Sequence, residues 1–192
     1  GQSYKALLAY TPNEDMMIYG QWAEGFRPGK GLAPNFACAA LGINDIPTQL
    51  DSDTTENVEF GFKSSWADNR FVFNAALYRV NWDDIPVAVN LGSSGALSCV
   101  VDLNAGKAVA EGVELEFQGR VTENLHVDLS ASYGETTLSG DSSRGSDGDN
   151  LPGSSDFNAT LGIQYDFSLA NNSSFARIDY AYISEYFSVI GS

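Results

Sequence analysis

The stretch Phe157-Asn158-Ala159-Thr160-Leu161-Gly162-Ile163-Gln164-Tyr165-Asp166-Phe167 decides the fold. Its odd-numbered positions are all apolar or aromatic, and its even-numbered positions are all polar or glycine. Successive side chains of a strand point to opposite faces, so strict alternation describes a strand with one apolar and one polar face. The alternation runs for eleven residues. Strands of soluble proteins are usually about 5–6 residues long, whereas a tilted strand crossing a bilayer needs about 9–11.

Three further segments alternate as cleanly: Val58–Trp66, Val113–Val121 and Leu125–Tyr133. Tyr4–Tyr10, Met16–Phe26, Phe71–Trp82 and Phe175–Phe187 alternate less strictly but share the β-rich composition. Short turns fall at Pro12–Asp15, Ala67–Asn69, Thr122–Asn124 and Ala170–Ser173. Longer polar connections run roughly over Pro28–Glu56, Pro86–Lys107 and Ser139–Asp156. The expected fold is all-β: about eight antiparallel strands as four hairpins, with short turns at one end and long loops at the other. Outer-membrane barrels sort their connections in this way, short on the periplasmic side and long outside.

The polar faces decide which side is wet. Glu114, Glu116 and Arg120 share one strand face, and unpaired charges are intolerable in a dry interior. They therefore line a watery lumen, and the apolar faces point to lipid. Tyr10, Trp66, Phe71, Tyr165, Phe167 and Phe175 sit within a few residues of short turns. That placement predicts an interfacial aromatic girdle.

Composition agrees. Only 18% of residues are charged, and 12% are aromatic. No apolar run reaches the roughly 18 residues a membrane helix needs. The near-neutral mean hydropathy of −0.16 is what alternating walls produce on average. Twenty-five acidic residues against ten basic ones give a net charge of −15. Nucleic acid is excluded as a partner, because its phosphates need a positive surface. The acids either solubilise loops or face cationic material.

Enzymatic constellations are missing from the sequence. It has one histidine (His126), no nucleophile elbow and no phosphate-cradling glycine loop. Glu114 and Glu116 lie about 7 Å apart on one strand face, and read as lumenal wall rather than an acid–base pair. Cys38 and Cys99 have no CxxC or Cys/His spacing, so no zinc site is expected. No cofactor is expected either. The opening residues read as a strand edge rather than a secretory leader, and the last lack a terminal aromatic. The expectation is therefore an internal piece of a larger barrel.

Four segments carry a family resemblance. Gly25-Phe26-Arg27-Pro28-Gly29 follows an aromatic strand. Glu56-Asn57-Val58-Glu59-Phe60-Gly61-Phe62-Lys63 and Tyr78-Arg79-Val80-Asn81-Trp82-Asp83-Asp84-Ile85 come next. Asn104-Ala105-Gly106-Lys107 then leads to Gly112-Val113-Glu114. Together, in this order and spacing, they resemble the barrel of TonB-dependent outer-membrane receptors of the siderophore-receptor type. The resemblance covers most of residues 16–117, and the rest fits by pattern only.

The resemblance implies a 22-stranded barrel filled by a plug domain. Residues 1–192 would be a partial barrel domain, about a third of the wall, without the plug and the remaining strands. It also implies active uptake of a scarce nutrient, with a ferric siderophore the commonest substrate class; glycan, haem and cobalamin stay open. The implied partners are outer-membrane lipid, the TonB energy-transducing protein acting through the plug, and a small-molecule substrate. Two other readings remain: a self-contained eight-stranded barrel serving as anchor or adhesin, and a soluble β-rich binding domain.

Candidate ligand contacts are Arg27 and Lys30 at a strand end, with Asp147 and Asp149 in a Gly/Asp-rich loop over Asp141–Asn150. Arg27 would meet an anionic chelate or pair with an acid. That loop lacks the spaced acids and closing Glu of an EF-hand, and is expected to be an extracellular loop. His126 is expected to face the wall or plug. Cys38 and Cys99 fall in adjacent long connections, as a disulfide stapling them or as two free thiols.

Overall fold

The computed structural model describes residues 2–141 and 145–186. The strands are β1 (Lys5–Asn13), β2 (Met16–Arg27), β3 (Lys30–Gly31), β4 (Gln49–Leu50), β5 (Asp53–Trp66), β6 (Phe71–Ser94), β7 (Leu97–Arg120), β8 (Leu125–Leu138), β9 (Phe157–Leu169) and β10 (Asn172–Ile183). One short helix, α1 (Phe36–Ala40), lies between β3 and β4. Eight strands form a single antiparallel meander in the order β1-β2-β5-β6-β7-β8-β9-β10. The β3–β4 pair is a separate two-stranded ribbon. Among the described residues β1 and β10 are the two edges of an open sheet, so the chain does not close an eight-stranded barrel of its own.

The four expected turns form, two of them tighter than expected, because β1 runs on to Asn13 and β10 begins at Asn172. Leu169 pairs with Asn172, leaving Ala170 and Asn171 as a two-residue turn, both at positive φ. That is the hairpin geometry whose twist matches the flanking strands. At the β7–β8 turn Thr122 Oγ1 accepts from the amides of Asn124 and Leu125.

Register puts the apolar positions of neighbouring strands on one face. Phe60 pairs with Leu77, Leu77 with Val113, and Val113 with Tyr133. Leu129 pairs with Leu161, which pairs with Tyr180. Phe60, Leu77, Leu129, Tyr133 and Tyr180 in these rows are exposed and Val113 and Leu161 half-buried, which fits an apolar band facing lipid. The opposite face is concave and polar. There the Tyr19 ring lies across Gly61, with its hydroxyl donating to Glu59 Oε1 at 2.6 Å. The Tyr78 hydroxyl sits over Gly112 and Gly134, where an added Cβ would meet it at 2.9 and 2.8 Å. Both rings need a partner strand without a side chain beneath them.

The structure corrects three expectations. The long loop over Pro86–Lys107 is instead the outer half of a hairpin, because β6 and β7 each run for 24 residues. Pro86 has no amide to give the ladder, and the register breaks at Asp83/Ile85 and Ile85/Pro86, with Asp84 at φ 59°. Pairing then resumes, because Ile85, Val87 and Val89 bury together with Ala108 and Leu138. Phe175 is not part of the outer girdle: it pairs with Asp166, on the face that carries His126. β7 ends at Arg120 rather than Val121. The expected extension of the last strand to Phe187, and the residues after it, lie outside the described residues. So do Ser142, Ser143 and Arg144 of the Gly/Asp-rich loop.

Candidate functional site

The β6–β7 hairpin rises beyond the wall, and the connection between β2 and β5 folds against it. Asn35 caps α1, its Oδ1 accepting from the amides of Ala37 and Cys38. Asn35 Nδ2 also donates to the carbonyl of Val100 on β7 at 2.8 Å. Cys38 and Cys99 form a disulfide (S–S 2.02 Å, Cα–Cα 4.5 Å), and both are fully buried. Val101 packs against the pair with Leu41, Ile43 and Ile46. Asn104 completes the seam: its Oδ1 accepts from the Asp51 amide, and its Nδ2 donates to the carbonyls of Asp51 and Asp84. These contacts join the 28–52 connection to the hairpin as one cap.

Arg27 and Asp53 form the hinge of that cap. Arg27 Nε and Nη2 donate to the two Asp53 carboxylate oxygens at 2.9 and 2.8 Å. Trp82 Nε1 donates to Asp53 Oδ2 at 2.7 Å, and the guanidinium stands 5.8 Å from the Trp82 ring centroid. The two partners differ in exposure: the Arg27 side chain is 59% exposed and that of Asp53 only 5%. Burial pushes the Asp53 carboxyl up, but the hydrogen bonds from Arg27 and Trp82 outweigh it and hold it below the usual carboxylate range. Asp53 precedes Glu56, the first charged residue on the outer face of β5, so it stands above the apolar band. A lowered pKa stabilises the cap fully above the ordinary carboxylate range and loses that contribution as pH falls through the folded value. Asp53→Asn should therefore cleave several-fold faster than the parent within residues 28–52 at neutral pH. The gap should begin to narrow below about pH 4 and close once the pH has fallen through the lowered Asp53 value. Equal cleavage at neutral pH would show that the pair does not hold the hinge.

The other candidate positions scatter. Lys30 opens the β3–β4 ribbon, pairing with Leu50, and is exposed. Asp147 Oδ1 accepts from the Gly140 amide at 2.7 Å, and Asp149 Oδ2 from the Ser146 amide at 2.8 Å. Both carboxylates thus hold loop turns. Asp147 also lines a shallow cleft with Arg79, Glu111 and Glu135. Arg27 and Lys30 belong to the cap; Asp147 and Asp149 belong to the next loop.

Inside the wall, a trough of about 470 Å³ is lined by Tyr19, Lys63, Asn74, Glu114, Glu116 and Ser132, among others. Glu116 accepts from Asn74 and Gln118. Arg177 bridges Asp128 and Asp179 at 3.0 and 2.8 Å. His126 Nε2 lies 3.0 Å from Asp166 Oδ2. Among the described residues no three His, Cys, Asp or Glu side chains gather as metal ligands do. This face is a wet, acid-rich wall that can hold polar or cationic groups.

Sequence reasoning missed Asp53, Trp82 and Asn104 as the residues that hold the cap. Asp53 sits in Asp51-Ser52-Asp53, which reads as ordinary loop acid. The available signal was Trp82 followed by a bulged Pro86, which marks where the strand leaves the wall.

The family model described as TonB dependent receptor-like, beta-barrel matches residues 1–190. A curated relative, the probable TonB-dependent siderophore receptor PiuA of Acinetobacter baumannii, is 24% identical over 144 residues, 74% of this chain and 18% of its own length. The crystal structure of the ferric yersiniabactin uptake receptor FyuA from Yersinia pestis superposes with a TM-score of 0.70 at 19% identity, covering 93% of this chain and 25% of that one. The ferric preacinetobactin receptor BauA from Acinetobacter baumannii gives 0.68 at 19% identity, covering 94% and 25%. The chain thus spans a quarter or less of the length of these proteins.

Proposed function

Because the chain belongs to the TonB-dependent receptor-like β-barrel family and forms outer-membrane barrel wall, we propose that the whole protein takes up a ferric siderophore. That family consists of receptors and transporters. In this reading residues 1–192 are a partial barrel domain, and a plug and further strands complete it. The chelate binds at the outer mouth. An inner-membrane TonB partner, acting through the plug, drives its passage inward. No catalytic step is involved.

The observation that carries this reading is the family match over residues 1–190, beside a curated relative whose name is that of a siderophore receptor. The geometry is compatible: a polar concave wall, an apolar convex band and a braced extracellular cap. Of the candidate contacts, Arg27 and Lys30 are the cations we assign to the ligand. The Arg27 side chain stays largely exposed while Asp53 fixes its direction. Asp147 and Asp149 serve by shaping their loop.

Growth of a deletion strain tests the proposal. With iron restricted, ferric siderophores, haem, cobalamin and glycans are supplied one at a time. Loss of growth on one ferric chelate, restored by the intact gene, is the expected result. A defect confined to haem, cobalamin or a glycan would replace the substrate class. Growth equal to the parent on every source would overturn the uptake reading.

A further inference from the structure

Trp22, Val58, Arg79, Glu111 and Glu135 are direct partners in one continuous register row across five strands. The row is apolar on β2 and β5 and charged on β6, β7 and β8. On β2 and β5 the first outward charges come one outward position later, at the paired Glu24 and Glu56. The polar boundary therefore drops by two residues in register between β5 and β6.

The lower edge moves the same way. On β5 and β6 the apolar band ends at the paired Trp66 and Phe71. On β8 and β9 it continues to the paired Leu125 and Tyr165, and on β9 to Phe167. A flat slab crossing tilted strands must slide along the register in one direction at both edges. A band set by β-propensity alone has no reason to do so.

Side chains at the upper edge reach from the apolar side to the charged side. Trp22 Nε1 donates to Glu56 Oε1 at 2.6 Å, and Tyr133 Oη to Glu135 Oε1 at 3.2 Å. Arg79 pairs with Glu111 at 2.8 Å. A ring with its body in hydrocarbon and its polar tip among charges is the interfacial arrangement. The polar cleft that Asp147 shares with Arg79, Glu111 and Glu135 lies at this same level, outside the lumen.

We propose that the lipid headgroups of the outer leaflet meet the convex face along the line Glu24–Glu56–Arg79–Glu111–Glu135. Below that line the face contacts acyl chains. Above it the cap stands clear: Cys99 is twelve residues along β7 from Glu111, roughly 40 Å of strand at about 3.3 Å per residue.

Spin-label depth measurements on the intact protein in phosphatidylethanolamine/phosphatidylglycerol vesicles test this. Cys38 and Cys99 are bonded, so Leu77→Cys, Asn81→Cys, Phe60→Cys and Glu56→Cys each add the one free thiol of this chain. Each protein must first show the heat-dependent gel shift of a folded barrel. Labels at 77 and 60 should collide with oxygen at least several-fold more than with a water-soluble nickel chelate. Labels at 81 and 56 should show the reverse. Nickel access at 77 or 60, or oxygen-dominated collision at 81 or 56, would overturn the boundary. The readout is independent of substrate, so failure of the uptake reading would leave it standing.

Discussion

Replacing both Cys38 and Cys99 by Ala should loosen the cap by about 4 kcal/mol while the eight-stranded wall persists. The cysteines are 61 residues apart in sequence, and closing a loop of that size is worth roughly 4 kcal/mol on the chain-entropy model. If only the cap opens, the wall still holds β5 and the inner half of β6. The free chain is then roughly 30 residues, and the figure falls only slightly because the dependence is logarithmic. The remaining braces, Asn35 to Val100 and Asn104 to Asp51, are exposed hydrogen bonds worth about 1 kcal/mol each. They do not compensate. The double variant should insert and show the heat-dependent gel shift, yet cleave within residues 28–52 orders of magnitude faster under mild proteolysis. Protection equal to that of the parent would mean that the apolar contacts of Ile43, Ile46 and Val101 suffice alone.

Leu115→Arg should destabilise the inserted protein by about 3 kcal/mol, and Gln118→Arg by less than about 0.5 kcal/mol. Leu115 pairs with Ala75 and Ala131 in the middle of the convex band. A cation facing lipid near the bilayer centre costs about 2–4 kcal/mol. Gln118 is on the opposite face of the same strand and already reaches Glu116, so an arginine there meets water and a carboxylate. Urea titration of the vesicle-bound intact proteins measures both. A larger loss for Gln118→Arg than for Leu115→Arg would reverse the assignment of faces.

The wall was readable because its code is local. Phe157–Phe167 and Leu125–Tyr133 declare strand, face and length within their own residues, and the turns at Ala170-Asn171 and Thr122–Asn124 carry their own geometry. The cap was not readable in the same way. Pro86 and the serines near Gly95 read as loop, yet Ile85, Val87 and Val89 alternate through them. Whether such a run stays paired depends on what covers it, here Leu138 and Ala108. Phe175 likewise read as girdle from its distance to a turn, while its facing was set by its register with Asp166.

The alternating sequence by itself determined an antiparallel wall with one wet and one lipid-facing side, because side-chain parity along a strand follows from backbone geometry alone. Only the tertiary structure decided that the outer hairpin continues past Pro86. It also decided that Cys38 reaches Cys99 and that Arg27 is held by Asp53 and Trp82. Each of these depends on segments far apart in sequence, brought together by burying apolar surface and pairing charges, and parity within a single strand carries no information about which distant partner arrives.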